Sequence, residues 1–312
     1  MLQVPVLVIG FNRPALVDDL LKHLKKIGVS RVYVSLDGPL SSLNRTDCDE
    51  TYEIVKSHRD NFDLTVLTRN YNLGCCLGVI AAIDWFFSIV EFGAIIEDDC
   101  FVDPDFFQII ADYASSNNQE PRENLRIFTA HNPFNFRFSE SVLNTPLIHG
   151  WATGSNSWVK IRKNFFKLKL PSRTNNQKVR RTLAAALYWW ANSTRARLGF
   201  IDTWDGMFAD NSWRAGVKTV IPCKNLVANL GFGPSATHTK DPSQSHNLDL
   251  PLSILESHTV DYLIDKFYFK IQKKHILSSL IRVFLDLAKF PSQPNFESIL
   301  QRDLSERVIE KF

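Results

Sequence analysis

No apolar run in this chain approaches the ~20 residues that a helix needs to span a bilayer. The 312 residues therefore read as a globular fold that builds its own core. Charge of one sign is scarce as well. The 36 basic side chains stand against 33 acidic ones, for a net charge of +3, an excess too small to mark a nucleic-acid binder. Cysteine is sparse and odd in number. Cys48, Cys75, Cys76, Cys100 and Cys223 match no zinc-ligand spacing, and an adjacent pair such as Cys75–Cys76 suits no structural disulfide. Reduced thiols are the simplest reading. The opening Met1-Leu2-Gln3-Val4-Pro5 has neither the basic nor the apolar region of a secretory signal, which sets the expectation of a cytoplasmic chain. There is no internal repeat, no Walker A loop and no Gly-x-Ser-x-Gly elbow, so solenoids, P-loop enzymes and α/β-hydrolases fall away.

What is present points to an α/β chain. Residues 4–9 form a continuous apolar run. After the turn at 10–14, where Asn12 can cap the next helix, Leu16, Val17, Leu20, Leu21, Leu24 and Ile27 recur at helical spacing until Gly28. Strands are predicted at 31–36, 64–67 and 94–96, with helices at 48–59 and 78–90 between them. This β-α-β-α-β-α-β order predicts a mostly parallel sheet with right-handed crossovers. Further along, a helix is predicted at 105–113, opened by Pro104 at its first position. A strand follows at 125–129, a loop at 130–146 and a return to the sheet at 151–159. Helices at 176–197 and 204–214 and a strand at 219–221 come next. The many aromatic residues (23 Phe, 7 Trp and 7 Tyr) serve mainly to fill the core.

The fourth strand stops in three consecutive carboxylates, Glu97-Asp98-Asp99. Open α/β sheets bind ligands beyond the carboxyl ends of their strands. At ~4 Å and an effective dielectric near 20, each like-charge pair there costs about 4 kcal/mol. A divalent ion removes that repulsion and can hold a diphosphate, and hard oxygen donors suit Mg²⁺ and Mn²⁺. Taken alone, the triplet reads as a solvated turn or as part of the cap of the next helix. Its company tips the reading toward a metal and nucleotide site. The first strand ends in Asn12 and Arg13, the second in Asp37 and the third in Arg69 and Asn70. Parallel neighbours bring these residues to one edge, with acids for a metal and a ribose and cations for phosphates.

A second acidic segment surrounds Trp204. Asp205, at the start of a short helix, can serve as the general base for an attacking hydroxyl, with the indole against a sugar. Capping by Asp202 or Thr203, with Asp205 favoured by the helix dipole, accounts for the same residues.

Together these residues resemble the inverting GT-A glycosyltransferases related to N-acetylglucosaminyltransferase I, including bacterial hemolysin-like relatives. The resemblance is carried by Pro5-Val6-Leu7-Val8-Ile9-Gly10-Phe11-Asn12-Arg13-Pro14, Val34-Ser35-Leu36-Asp37-Gly38, and Ile95-Ile96-Glu97-Asp98-Asp99 with Asp103-Pro104-Asp105-Phe106-Phe107. Trp204-Asp205 and Asn229-Leu230-Gly231 with His238 extend it. It implies a GT-A (Rossmann-like) α/β fold, a mostly parallel central sheet flanked by helices, with a helical C-terminal extension. Residues 1–124 would be the nucleotide-sugar half and 125–240 the acceptor and catalytic half of the same domain, with 241–312 as the extension. Asp99 would ligate the metal, and Asp98 would stand near both metal and ribose. Glu97 would meet the donor sugar, Asp37 the uracil and Arg13 the nucleotide, with Asn12 and Arg69 on the same edge. Asp205 would be the base.

Mn²⁺ or Mg²⁺ would be the cofactor and a UDP-sugar, carrying N-acetylglucosamine or a similar sugar, the donor. A glycan or lipid-linked acceptor of bacterial surface polysaccharide synthesis would be the partner. One departure is Gly206, which stands where the family carries a second acid. Two other classes compete. A sugar-phosphate nucleotidyltransferase needs a Gly-rich basic loop after the first strand, which 10–14 lacks. A non-enzymatic glycan- or membrane-binding protein on a degenerate fold would have no use for an intact Asp99 and Asp205. The basic, amphipathic tail at 260–290 fits peripheral contact with an anionic membrane or, more commonly for such a pattern, packing on its own domain or a partner chain.

Overall fold

A computed structural model describes residues 4–116, 125–132, 137–138, 142–170, 183–231, 254–255, 281–283, 285–286 and 294–312. The first 100 residues alternate strand and helix as the periodicity predicts: β1 (Val6–Gly10), α1 (Pro14–Lys26), β2 (Arg31–Leu36), α2 (Arg45–Ser57), β3 (Asp63–Thr68), α3 (Gly74–Phe87) and β4 (Phe92–Glu97). β3, β2, β1 and β4 lie side by side and parallel. Their side chains alternate between two cores, as a sheet covered on both faces requires. Val6, Val8, Val32, Val34, Ala94 and Ile96 face Val17, Leu20, Leu21 and Leu24 of α1 and Val55 of α2. Leu7, Tyr33, Leu67 and Ile95 face the apolar α3. Asn12 does not cap α1. The helix starts at Pro14 after Arg13, with no side-chain cap.

Past β4 the chain forms β5 (Cys100–Val102), α4 (Pro104–Ser116), β6 (Arg126–Thr129), β7 (Arg137–Phe138), β8 (Val142–Leu143), β9 (Trp151–Gly154), α5 (Ser155–Arg162), α6 (Leu183–Arg197), α7 (Asp205–Ala215), β10 (Lys218–Val220) and β11 (Val227–Asn229). β9 inserts antiparallel between β4 and β6. The strand predicted over 151–159 is thus only four residues long, because Gly154 leads directly into α5. The loop predicted at 130–146 contains β7 and β8, and β8 pairs with β10.

Within the helical extension expected over 241–312 lies a C-terminal helix, Phe296–Glu306, and it is followed by a final strand, Val308–Lys311, which has no counterpart in the sequence reading. That strand pairs antiparallel with β3 and closes the edge of a nine-stranded sheet among the described residues. Residues 294–312, grouped by sequence with an extension, therefore belong to the central sheet and its helical layer. Most of 260–290, together with 171–182 and 232–240, lies outside the described residues, so the tail's predicted helix and His238 are not placed. No described helix is long and apolar enough to cross a membrane.

Candidate active site: an acidic cleft at the carboxyl edge

The carboxyl ends of β1 to β4 open into a cleft of about 360 Å³. Asn12, Arg13, Asp37, Arg69, Glu97, Asp98 and Asp99 all line it. The structure thus gathers the sequence-selected residues of the first four strand ends in one place, except Asn70, which is not part of the lining. Asp205 lies outside that lining, although its charge acts on Glu97 within it.

The acids are held under strain from their own charge. Asp98 and Asp99 converge on a single nitrogen: Arg13 Nη1 donates to Asp98 Oδ1 and to Asp99 Oδ2, each at 3.1 Å. Desolvation, opposed by Arg13 and reinforced by Asp99, pushes Asp98 up to about 7. Burial, together with the charges of Asp99, Asp98 and Asp205, pushes Glu97 up to about 8. A second cation at this point would relieve the cluster, so the donor set fits a divalent ion. Among the described residues no third His, Cys, Asp or Glu completes a protein-only cage. Asp98 and Asp99 would supply oxygens to the ion.

A flap crosses this end. β5 pairs antiparallel with β11, Asn229 opposite Cys100. Leu230 N donates to Asp99 O at 2.8 Å and Gly231 N to Asn229 Oδ1 at 2.7 Å. Gly231 lies so close to Asp99 that a Cβ there would collide with the carboxylate.

Asp37 and Asp202 both serve the start of α3. Asp37 is taken up by backbone amides: its carboxylate accepts from Gly38 N, Leu73 N and Gly74 N, each at 3.0 Å. It therefore satisfies the start of α3, and burial still pushes it up to about 6. Asp202, weighed in sequence as a cap for its own helix, instead reaches across the fold. Its two oxygens accept from Cys75 N at 2.8 Å and Cys76 N at 2.7 Å. The positive end of α3 is thus saturated by two carboxylates, which suits the helix dipole and leaves those amides unavailable as a phosphate cradle. Gly74, at φ +79°, permits this approach, since a Cβ there would come within 2.5 Å of Asp202 Oδ2.

Arg69 is not a free cation for a ligand. Its Nε donates to Asp303 Oδ1 at 2.6 Å and its Nη2 to Asp303 Oδ2 at 3.2 Å, with both side chains 1% exposed. The sequence reading missed this because the partner comes from the C-terminal helix, more than 230 positions away. Trp204 is likewise no sugar platform. It is buried, with its ring 6.2 Å from Trp151 and 5.2 Å from Phe208.

Asp205 stands in the first turn of α7 and is exposed. Its Oδ1 accepts from Thr203 Oγ1 at 2.5 Å and from Gly206 N at 2.8 Å. His149 and Asn72 also line the cleft and escaped the sequence reading. His149 lies in the loop before β9, stacked on His131 with ring centroids 4.7 Å apart, and no local periodicity marks it.

The fold and site define an open α/β protein with an acid-rich cleft at the carboxyl edge of its parallel strands. No protein-family model and no curated protein matches the chain. Among solved structures it is similar to HddC from Yersinia pseudotuberculosis, at 12% identity and a TM-score of 0.31, over 49% of this chain and 77% of that one. It is similar to mannose-1-phosphate geranyltransferase from Thermus thermophilus, at 9% identity and a TM-score of 0.33, over 73% of this chain and 75% of that one. It is also similar to a glycosyltransferase involved in the glycosylation of the major capsid of PBCV-1, at 11% identity and a TM-score of 0.25, over 55% of this chain and 68% of that one. At these TM-scores none of the three bears on what the cleft does.

Proposed function

We propose that the chain is an inverting glycosyltransferase that moves a sugar from a UDP-sugar, N-acetylglucosamine or a similar one, to a glycan or lipid-linked acceptor of surface polysaccharide synthesis. One observation carries the reading: Glu97, Asp98 and Asp99 converge with Arg13 in a single cleft at the carboxyl edge of the sheet. Such a cluster is costly without a cationic ligand, and it lies where α/β sheets bind nucleotides.

Asp98 and Asp99 hold the nucleotide's counter-ion. That ion, Mn²⁺ or Mg²⁺, supplies Lewis-acid stabilisation of the charge on the leaving diphosphate. Arg13, already between the two acids, is placed to turn its guanidinium to the phosphates once that cation is present. Glu97 meets the donor sugar. Asp37, Asn12 and the flap residues Asn229 and Gly231 shape the base and ribose side of the cleft. Asp205 is the base: its Oδ1 is fixed by Thr203 and Gly206, which leaves Oδ2 to take the acceptor's proton as its oxygen attacks the anomeric carbon.

Incubation with Mn²⁺ and a panel of sugar nucleotides tests the assignment. Acceptor-dependent release of UDP supports it. Diphosphate release from an NTP with a sugar phosphate would instead mark a nucleotidyltransferase, and no turnover with any donor would favour a binding protein on a transferase-like fold. Asp205→Asn should abolish turnover and spare UDP binding. Near wild-type rates in that variant would remove Asp205 from the mechanism.

A further inference from the structure

A second hollow, of about 490 Å³, lies between the loop that follows α5 and the far end of α7, and it shares no lining residue with the acidic cleft. Lys160, Lys163, Lys169 and Arg214 line it together with the amides of Asn164 and Asn211, and no carboxylate of the described residues is among its walls. Asp210, behind it, is already divided between two guanidinium groups, accepting from Arg197 Nη2 at 2.7 Å and from Arg214 Nε at 2.9 Å. Neither Lys160 nor Lys163 pairs with a carboxylate among the described residues. The half-buried Lys169 is pulled down to about 8, first by desolvation and then by the neighbouring Arg197 and Arg214, against the opposing pull of Asp210.

The rim is fixed rather than loose. Arg197 Nε donates to Phe165 O at 3.0 Å, Arg214 Nη2 to Leu170 O at 2.8 Å and Trp190 Nε1 to Lys169 O at 2.8 Å. Asn164 makes the turn at φ 57°, in the left-handed region that Asn tolerates. The loop is therefore stitched to α6 and α7 through its carbonyls, which fixes the backbone that carries Lys163 and Lys169 beside one concavity. Like charges gathered this way repel, and an anion with several acceptor oxygens offsets that repulsion. A backbone fixed beforehand lowers the ordering cost that the ligand must meet.

We propose that this hollow is a phosphate-group site, separate from the acidic cleft, that takes the phosphate of a soluble compound or of an anionic lipid headgroup. It does not depend on the transferase reading. The test uses the full chain carrying Arg13→Gln, so that the cleft does not contribute, with pyrophosphate titrated by calorimetry. In parallel, flotation uses phosphatidylcholine vesicles with and without phosphatidylglycerol. Saturable binding is expected in at least one arm. It should weaken by about tenfold or more when Lys160→Gln and Lys163→Gln are added, two lost charge-assisted contacts. Lys56→Gln, on α2, should leave it unchanged. Lys160 and Lys163 are both exposed, so the fold survives their replacement. Binding of pyrophosphate alone assigns a soluble phosphate compound, and binding of phosphatidylglycerol vesicles alone assigns a headgroup. Absence of binding in both arms, or binding that the Lys160/Lys163 variant leaves unchanged, overturns the site.

Discussion

Replacing Asp303 by Ala should cost this protein about 3–5 kcal/mol, the usual penalty for stranding one member of a buried ion pair. The geometry leaves Arg69 no alternative. Both side chains are 1% exposed, the guanidinium meets both carboxylate oxygens, and among the described residues its Nη1 donates only to the neutral Ser35 Oγ, at 3.2 Å. Tyr71 also loses its acceptor, since its hydroxyl donates to Asp303 Oδ1 at 3.1 Å. With an unfolding entropy of about 2.1 cal/mol/K per residue, a chain of 312 residues should lose about 5–8 °C in Tm. Urea unfolding and differential scanning calorimetry read both quantities.

The double variant Arg69→Met/Asp303→Leu removes both charges and should recover most of the loss, because the cost lies in the orphaned charge more than in the missing attraction. The effect should also reach the cleft. Arg69 follows β3 directly and leads into the turn whose Leu73 and Gly74 amides hold Asp37, so Asp303→Ala should weaken UDP binding as well. A loss under about 1 kcal/mol for Asp303→Ala would mean that water reaches the pair and would refute the account of Arg69 as a sealed structural residue.

Asp37 gives a pH signature. Its folded value of about 6 lies above the ordinary 3.8, so its contribution to stability is fully present below pH 3.8 and is lost as the pH rises through 6. The stability of wild type relative to Asp37→Asn should therefore fall by up to about 3 kcal/mol across that window, and a flat difference would contradict it. Arg13→Gln should raise the affinity for Mn²⁺ alone, read as free Mn²⁺ by electron paramagnetic resonance, because the guanidinium now occupies the space between Asp98 and Asp99. Unchanged or weaker binding would mean that the two cations do not compete. Asp99→Ala should abolish Mn²⁺-dependent UDP binding in calorimetry, and an unchanged affinity would count against the metal site. Gly231→Ala should weaken the same binding through its collision with Asp99, at a cost of about 1–3 kcal/mol if the flap shifts. Wild-type affinity would show that the flap is free to move at no cost.

The sequence by itself determined the first four strands and their crossover helices: β1, β2 and β4 are short apolar runs of the kind a strand buried on both faces requires, α1 carries its apolar residues at helical spacing, and α3 is apolar almost throughout. It also determined which residues meet at the carboxyl edge, since parallel strands place their ends together whatever else the chain does. What the charged groups there do was decided only by tertiary structure. Arg69 and Asp37 look like ligand contacts as long as their partners are unknown. Asp303 and the first turn of α3 claim them, and the residues that do so lie 234 and about 36 positions away. The final strand beside β3 and the β5–β11 flap depend on pairings of the same long range. No local pattern encodes a pairing, because a hydrogen-bonded edge accepts almost any side chain that its two faces allow.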